Sequence, residues 1–252
     1  TVGIDVTAKR TKEKALTFKS YHDDLTGLYN RRYYNEMIPH FEQFRDAGII
    51  LADINGLKLI NDLFGHEQGD ALLTTFAEIL KDILPKDAFI ARLGGDEFLM
   101  VLHHYDEKTV PALVDSIKAA VQENVINDIV PSASFGHARK QPDETFHTTF
   151  TRAENMLYRD KVLEYDEQTD AMVTSILNAL YRRTDESKDH IRSMKALSEP
   201  LKSHFDLNSG QRKELDQLIE LHDIGKISID TSIFKRDALS KEEREEIERH
   251  PE

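Results

Sequence analysis

The stretch that decides the fold runs from residue 88 to residue 102, and its centre reads Gly94-Gly95-Asp96-Glu97-Phe98. Apolar runs at 88–93 and 98–102 flank the two glycines and the two acids. Short apolar runs separated by a glycine-containing turn predict a β-hairpin. Glycines at its tip can adopt positive φ angles and let the backbone approach a phosphate group closely. Taken alone, Gly-Gly-Asp is also typical of an ordinary turn.

A second strand is predicted at 48–54, a continuously apolar run of the kind that buried central strands show. Asp53 lies at the end of this strand. We therefore expect the carboxylates of Asp53, Asp96 and Glu97 to meet at one edge of a sheet. Such oxygen ligands suit Mg²⁺, which takes one or two carboxylates together with substrate phosphate oxygens.

Helical and strand patterns alternate up to about residue 165, and only helical patterns follow. The first part predicts helices at 8–22, from Asn30 to about Gly48, from Gly65 to Pro85, at 107–124 and from about 147, with a further strand at 132–138. The second part predicts helices at 168–184, 188–204, 211–223 and 240–249. The expected fold is α/β, a mixed sheet with flanking helices, joined inside a continuous helix to a small all-α segment.

The composition of the 252 residues, with 39% hydrophobic and 31% charged, predicts a folded protein of one large or two small domains. The net charge of −13 disfavours nucleic acid as a partner, because binding a phosphate backbone requires a basic face. Without cysteine there are no disulfides or thiolate metal sites, and no apolar run approaches the about 20 residues of a membrane span. We expect a cytoplasmic protein with no membrane segment in this chain. Since the chain begins without Met, we also expect it to be a segment of a longer protein.

Four ordered motifs make residues 22–165 similar to the GGDEF family, the diguanylate cyclases. They are Gly94-Gly95-Asp96-Glu97-Phe98, the N-terminal motif at 22–32, the segment Asp53-Ile54-Asn55-Gly56-Leu57-Lys58-Leu59-Ile60-Asn61-Asp62, and Gly65-His66 followed by Gly69-Asp70. The resemblance implies that two GTP molecules, one on each protomer of a homodimer, condense to cyclic di-GMP and pyrophosphate.

The resemblance also assigns roles to individual residues. It implies that Mg²⁺ or Mn²⁺ is held by Asp53, the Ile54 carbonyl and Asp96, and that Asp96 or Glu97 helps to deprotonate the attacking 3′-hydroxyl. It implies that GTP is bound by Asn61 and Asp70 at the guanine, by Lys58 and Lys161 at the phosphates, and by Gly94 and Gly95. The structural alternatives are that Asn61 turns the chain, that Asp70 caps the next helix and that Lys161 is a solvated helix charge.

Several positions depart from the family pattern. Asn55 and Gly56 stand where family members often carry an Asp and a Phe, and Tyr165 stands where an Arg is usual. The family's product-inhibition pair, Arg-x-x-Asp, is replaced by Pro85 and Ala88, which cannot form charge-assisted hydrogen bonds. We therefore expect this inhibitory site to be absent.

Residues 168–252 resemble the N-terminal part of the HD-GYP branch of the HD phosphohydrolases, which hydrolyse cyclic di-GMP at an iron centre. The motif Leu221-His222-Asp223-Ile224-Gly225-Lys226 carries this resemblance, and it implies a partial Fe or Mn site from His190, His222, Asp223 and His250. A lone His-Asp pair is also common at helix ends. Because the family's later ligands and its Gly-Tyr-Pro loop are not in this sequence, we expect no hydrolysis by this chain.

The expected domains are therefore a sensor-exit stub and signalling helix at 1–21, a GGDEF domain at 22–165 and a partial HD-GYP-type domain at 166–252. The stub at 3–7 resembles the last strand of a PAS sensor domain. The leading function is that of a diguanylate cyclase. The alternative is a GTP-binding regulatory GGDEF module that controls an HD-GYP cyclic di-GMP phosphodiesterase.

Overall fold

The computed structural model describes residues 19–125, 130–183, 188–229, 233 and 239–249 of the chain. The expected stub, most of the helix predicted at 8–22, and His250 lie outside these described residues. Within the described part, no helix has both the length and the apolar character needed to cross a membrane.

The first part of the chain alternates strands and helices, and the second part is helical. In order, the elements are β1 Tyr29–Asn30, α1 Arg31–Phe41, β2 Gly48–Ile54, α2 Leu57–Phe64, α3 His66–Ile83, β3 Phe89–Gly94, β4 Glu97–Leu102, α4 Thr109–Glu123, β5 Ala133–Arg139 and α5 Phe146–Arg183. There follow α6 Lys188–His204, α7 Ser209–Leu221, a 3₁₀ turn at Ile224–Ser228 and α8 Lys241–Glu248.

The strands form one mixed sheet in the order β1-β3-β4-β2-β5. β1 is parallel to β3, and the other neighbouring strands are antiparallel. The expected mixed α/β sheet is therefore present, and β3 and β4 form the expected hairpin. In the central strand β2, Asp53 lies opposite Glu97 of β4 and opposite Ser134 of β5. This register brings the hairpin tip to the same end of the sheet as Asp53.

Two apolar cores cover the two faces of the sheet. β2 is buried along its whole length, and because strand side chains alternate, Ile50 and Ala52 join one core while Ile49 and Leu51 join the other. The first core includes residues of α2, α3 and α4, and the second includes residues of α1 and α5. The sheet is thus a middle layer with helices on both sides.

The long helix α5 connects the sheet to the helical part. It runs for 38 residues and passes residue 165, where the domain boundary is predicted, without a break. Near its C-terminal end, Ile176 and Leu180 are buried, and Ile224 of the 3₁₀ turn packs against the same core. The 3₁₀ turn lies against both α2 and α5, so the helical part contacts the helix that follows β2 directly.

Candidate active site

The hairpin tip is held in a conformation that requires glycine. Gly94 has a φ of 147° and Gly95 a φ of 52°, which side-chain-bearing residues rarely adopt. The Arg92 guanidinium folds back onto the tip and donates to the Gly95 carbonyl oxygen from Nε at 3.0 Å and from Nη2 at 2.8 Å. Beyond the glycines, the Asp96 side chain is partly exposed and Glu97 is exposed.

Arg92 also ties the hairpin to the N-terminal motif. Its Nη1 lies 3.1 Å from Asp23 Oδ1, which additionally accepts from Thr26 N at 2.9 Å and Thr26 Oγ1 at 2.8 Å. Burial alone would raise the pKa of Asp23, but these hydrogen bonds and the Arg92 charge outweigh it and lower the pKa below its usual value. This support of the hairpin was missed by our sequence analysis, because its acceptors are a backbone carbonyl and an acid far away in the sequence.

A second arginine contacts the other side of the tip. Arg31 Nε donates to the Leu93 carbonyl oxygen at 2.6 Å, and Arg31 Nη2 lies 3.1 Å from Glu97 Oε2. Both side chains of this ion pair are more than half exposed, so the pair is weak and can open. Glu97 is therefore directed toward Arg31 but can move to another partner.

Asp53 is the buried acid of the site, with 7% of its surface exposed. Lys161 Nζ lies 2.7 Å from Asp53 Oδ2, so Lys161 is more than a solvated helix charge. Burial raises the pKa of Asp53, and the negative charges of Asp96 and Glu97 raise it further, while Lys161 acts in the opposite direction. Lys161 therefore does not fully offset the effects of burial and of the two hairpin acids on Asp53.

The three acids do not form a ready metal cage. Among the residues that the structure describes, no group of three or more His, Asp or Glu side chains could hold a metal ion by themselves. Mg²⁺ can bind with fewer protein side chains, because one or two carboxylates, waters and substrate phosphates complete its coordination. Asp53, Asp96 and the carbonyl of Ile54 are oxygen donors of the type that Mg²⁺ and Mn²⁺ prefer, and a cation would stabilise the ionised form of Asp53. The donor set therefore fits such an ion together with a phosphate ligand.

The position of Lys161 depends on a close contact between α5 and β5. A Cβ atom at Gly136 would lie 2.1 Å from the Ala153 carbonyl oxygen and 2.3 Å from Leu157 N. Only glycine allows this approach, because both atoms belong to the helix backbone. The contact seats α5 on the sheet one turn before Lys161, the residue that reaches Asp53.

The predicted base-binding residues lie on α2 and α3. A Cβ atom at Gly69 would be 2.0 Å from Asn61 Oδ1, so the Asn61 amide packs directly against the residue that precedes Asp70. Gly65 is the N-cap of α3, and Asp70 lies inside this helix, exposed, so it is not the helix cap. Lys58, also exposed, lies one turn before Asn61 on α2. Asn61 of α2 therefore packs against α3 beside Asp70, and Lys58 lies on the same helix as Asn61.

The positions that depart from the family pattern lie in different places. The Asn55 amide Nδ2 donates to Ser132 Oγ at 3.2 Å, and its Oδ1 accepts from Ser134 Oγ at 3.1 Å, which ties the end of β2 to β5. Tyr165 lies in α5. Pro85 and Ala88 belong to the turn between α3 and β3, where Ala88 N donates to the Pro85 carbonyl oxygen at 2.9 Å.

In the helical part, three of the four predicted metal ligands lie near one another. The ring centroids of His190 and His222 are 5.9 Å apart, and His222 Nε2 lies 2.9 Å from Asp223 Oδ2. Lys226 Nζ is also 2.9 Å from that oxygen, and His222 Nδ1 is 2.8 Å from the Ile219 carbonyl oxygen. These three side chains do not form a metal-binding group in the described part of the chain.

The mixed sheet, the glycine hairpin and the carboxylates at the strand ends define the class of domain, an α/β fold with an acidic site at one end of its sheet. Residues 20–164 match the family described as diguanylate cyclase, GGDEF domain, and the chain belongs to this family.

Similar proteins agree with this assignment. The chain is 31% identical over 163 residues to diguanylate cyclase DgcM of Escherichia coli strain K12, a match covering 62% of this chain and 40% of that protein. It is 32% identical over 168 residues to diguanylate cyclase DgcP of the same strain, covering 63% and 48%. The coiled coil and GGDEF domain of DgcB from Caulobacter crescentus, solved with c-di-GMP, shares the fold with a TM-score of 0.58 at 24% identity, over 62% of this chain and 88% of that one. The chain thus spans less than half the length of these two curated relatives.

Proposed function

We propose that this chain is a diguanylate cyclase, which condenses two GTP molecules into cyclic di-GMP and pyrophosphate in bacterial second-messenger signalling. One observation carries the proposal: the two acids of the hairpin, Asp96 and Glu97, are intact and lie at the same sheet end as the buried Asp53. Membership of the GGDEF family supports it.

The proposed chemistry needs alignment and charge stabilisation more than covalent catalysis. Asp53, the Ile54 carbonyl and Asp96 would hold Mg²⁺ or Mn²⁺, which polarises phosphate oxygens when bound. Asp96 or Glu97 would accept the proton of the attacking 3′-hydroxyl. The exposed ion pair between Glu97 and Arg31 leaves Glu97 able to turn toward this proton.

GTP would lie between the hairpin and the start of α3. We propose that Lys58 and Lys161 neutralise its phosphates, while Gly94 and Gly95 let the backbone approach them. Guanine offers N1–H and N2–H₂ donors, which suit a carboxylate such as Asp70, and the Asn61 amide would complement the rest of the edge. Because adenine lacks these donors, we expect strong preference for GTP over ATP.

We propose that activity requires a homodimer in the cytoplasm. One site of this kind holds one GTP, and the cyclic product needs two, so the specific activity should rise with protein concentration in the dilute range. With Pro85 and Ala88 in place of the charged inhibition pair, micromolar cyclic di-GMP should leave the initial rate nearly unchanged.

Incubation of the purified chain with GTP and Mg²⁺, followed by mass analysis of the product, tests the proposed activity. We expect cyclic di-GMP and pyrophosphate. The exposed acid Asp87 provides a matched control, because Asp87→Ala should give the same product at the same rate. Release of GDP and inorganic phosphate, or no turnover at any protein concentration, would contradict the proposal.

A second candidate function is a GTP-binding regulatory module for an HD-GYP-type phosphodiesterase. The observation that favours it is the packing of the 3₁₀ turn Ile224–Ser228 against α2, the helix that carries Lys58 and Asn61. In this proposal residues 166–252 begin the phosphodiesterase domain, whose complete form would use Fe or Mn, and residues 1–21 lead from a PAS sensor. Tight binding of GTP without release of pyrophosphate would favour this candidate over the cyclase.

A further inference from the structure

The acid next to Lys161 has no part in the function proposed above, yet it connects three elements. Asp160 Oδ2 accepts a hydrogen bond from the backbone N of Phe135 at 2.7 Å. Lys118 Nζ lies 3.3 and 3.2 Å from the two carboxylate oxygens of Asp160. The Asp160 carboxylate thus joins α5 to β5 and to α4.

The backbone N–H of Phe135 is a suitable anchor for a helix. β5 stands at the end of the described strand order, so its outer side has no neighbouring strand to accept hydrogen bonds. Phe135 is buried, and a buried N–H group without an acceptor destabilises the folded state. Asp160 supplies the acceptor, and this hydrogen bond thereby fixes the position of α5 along the direction of β5.

This anchor lies directly beside the pair formed by Lys161 and Asp53. In the β2–β5 ladder, Asp53 is opposite Ser134, the neighbour of Phe135. Successive residues of a helix point about 100° apart, so an Asp160 directed at β5 leaves Lys161 directed elsewhere, and its Nζ reaches Asp53 Oδ2 at 2.7 Å. Together with the close contact at Gly136, this anchor fixes the position of α5 along β5 and the rotation of α5 about its own axis at Lys161.

We propose that Asp160 is a positioning residue, which holds Lys161 beside Asp53 and prepares its ammonium group for the triphosphate. The inference rests on the proposed function, since it takes Lys161 to be a phosphate ligand. Asp160 acts through Lys161, so removal of Asp160 matters for nucleotide binding only while Lys161 is present.

The test measures binding of the magnesium complex of α,β-methylene GTP, which lacks the bond broken in cyclisation, by isothermal titration calorimetry. The unchanged chain is compared with Asp160→Ala, Lys161→Ala and the double variant. We expect Lys161→Ala to weaken binding about 10- to 100-fold, as for loss of a hydrogen bond to a charged group. Asp160→Ala should weaken it about 3- to 10-fold, with no further loss in the double variant.

Two further variants sharpen the test. Asp160→Asn keeps an acceptor oxygen for Phe135 N and should recover most of the affinity. Glu154→Ala removes an exposed acid from the same helix and should bind as the unchanged chain does. If Asp160→Ala does not fold, Lys118→Met removes the other partner of the anchor and should show a smaller loss that also depends on Lys161.

Equal losses from Asp160→Ala with and without Lys161 would overturn the inference, because a merely structural effect does not depend on Lys161. Unchanged affinity of Asp160→Ala would also overturn it, as would an unchanged chain that does not bind the analogue. Failure of the proposed function has a different result: the analogue binds with the expected pattern, but GTP yields no cyclic di-GMP.

Discussion

Two buried aspartates, Asp53 in the sheet and Asp223 in the helical part, are each held by a lysine but have different surroundings. Their exposed fractions are 7% and 6%, and the lysine nitrogens lie at 2.7 and 2.9 Å. The partner of Asp223 is Lys226, three residues further on, whereas the partner of Asp53 is Lys161 of α5, far along the chain.

The difference teaches how a site can be told from a structural ion pair. At Asp223 the lysine is a near neighbour in the chain, and Lys226 and His222 contact the same carboxylate oxygen. At Asp53 the strand end, the helix α5 and the hairpin converge, and burial together with the acids of the hairpin raises the pKa of Asp53. Convergence of separate elements on a buried acid with a raised pKa is the arrangement typical of functional sites.

The largest expected effect is a loss of reaction rate that occurs when an acid of the hairpin is removed but not when Asp223 of the helical part is removed. Asp96→Ala removes a proposed metal ligand and should lower the rate of cyclic di-GMP formation at least ~100-fold, as does loss of a key electrostatic group in other enzymes. Asp223→Ala, assayed in parallel with GTP and Mg²⁺, should reduce the rate far less. Equal losses in the two variants would remove the distinction between the regions.

The seating of α5 can be tested through Gly136. Gly136→Ala places a methyl group against the backbone of α5, and overpacking of this kind should lower the free energy of unfolding by about 2–3 kcal/mol, measured by urea denaturation. Gly210→Ala makes the same chemical change in α7, where the new Cβ would meet only the Asn208 side chain at 3.3 Å. Its effect should stay below about 1 kcal/mol. A Gly136→Ala variant as stable as the unchanged chain would contradict the close contact.

The variant Asp223→Asn tests whether the ion pair in the helical part contributes to stability and not to the reaction. It removes the charge that Lys226 and His222 contact, so we expect the free energy of unfolding to fall by about 1–2 kcal/mol. The rate of cyclic di-GMP formation should stay within about a factor of two when measured well below the melting temperature. A large loss of rate in a folded variant would show that the helical part contributes to the reaction.

The smallest expected effect concerns Asp23 and depends on pH. Because the pKa of Asp23 is lower in the folded chain than its usual value, its ionised form stabilises the fold above about pH 4, and this contribution is lost as the pH falls through the folded-state pKa. Asp23→Asn should therefore cost about 1 kcal/mol at pH 7 and progressively less below pH 4. Denaturation at several pH values measures this trend, and a constant difference across them would contradict it.

Much of the fold and part of the site could be predicted from the sequence. Continuous apolar runs with glycines between them were enough to predict β2, β3 and β4, and therefore the shared edge of Asp53 and Glu97. β1 has two residues and α2 eight, which is too short for a periodic pattern, and both were missed.

The contacts of Arg92 and Asp160 could not be predicted because their acceptor or donor is a backbone group. Arg92 binds the Gly95 carbonyl oxygen, and Asp160 accepts from Phe135 N across a large separation in sequence. Side-chain identities carry no trace of such partners. The raised pKa of Asp53 likewise depends on burial and on the register of β2 against β4, which only the folded chain defines.

Because α5 is packed at both ends, the number of residues between these ends determines how its two packed faces are rotated relative to each other about the helix axis. One end is seated on Gly136, and at the other Ile176 and Leu180 are buried. One residue inserted between positions 162 and 175 would turn the far end by about 100° and move it about 1.5 Å. Seven residues would restore the direction to within about 20°. Eleven residues, about three helical turns, would restore the direction equally well, and either insertion would also move the far end along the helix axis by about 10 Å or more.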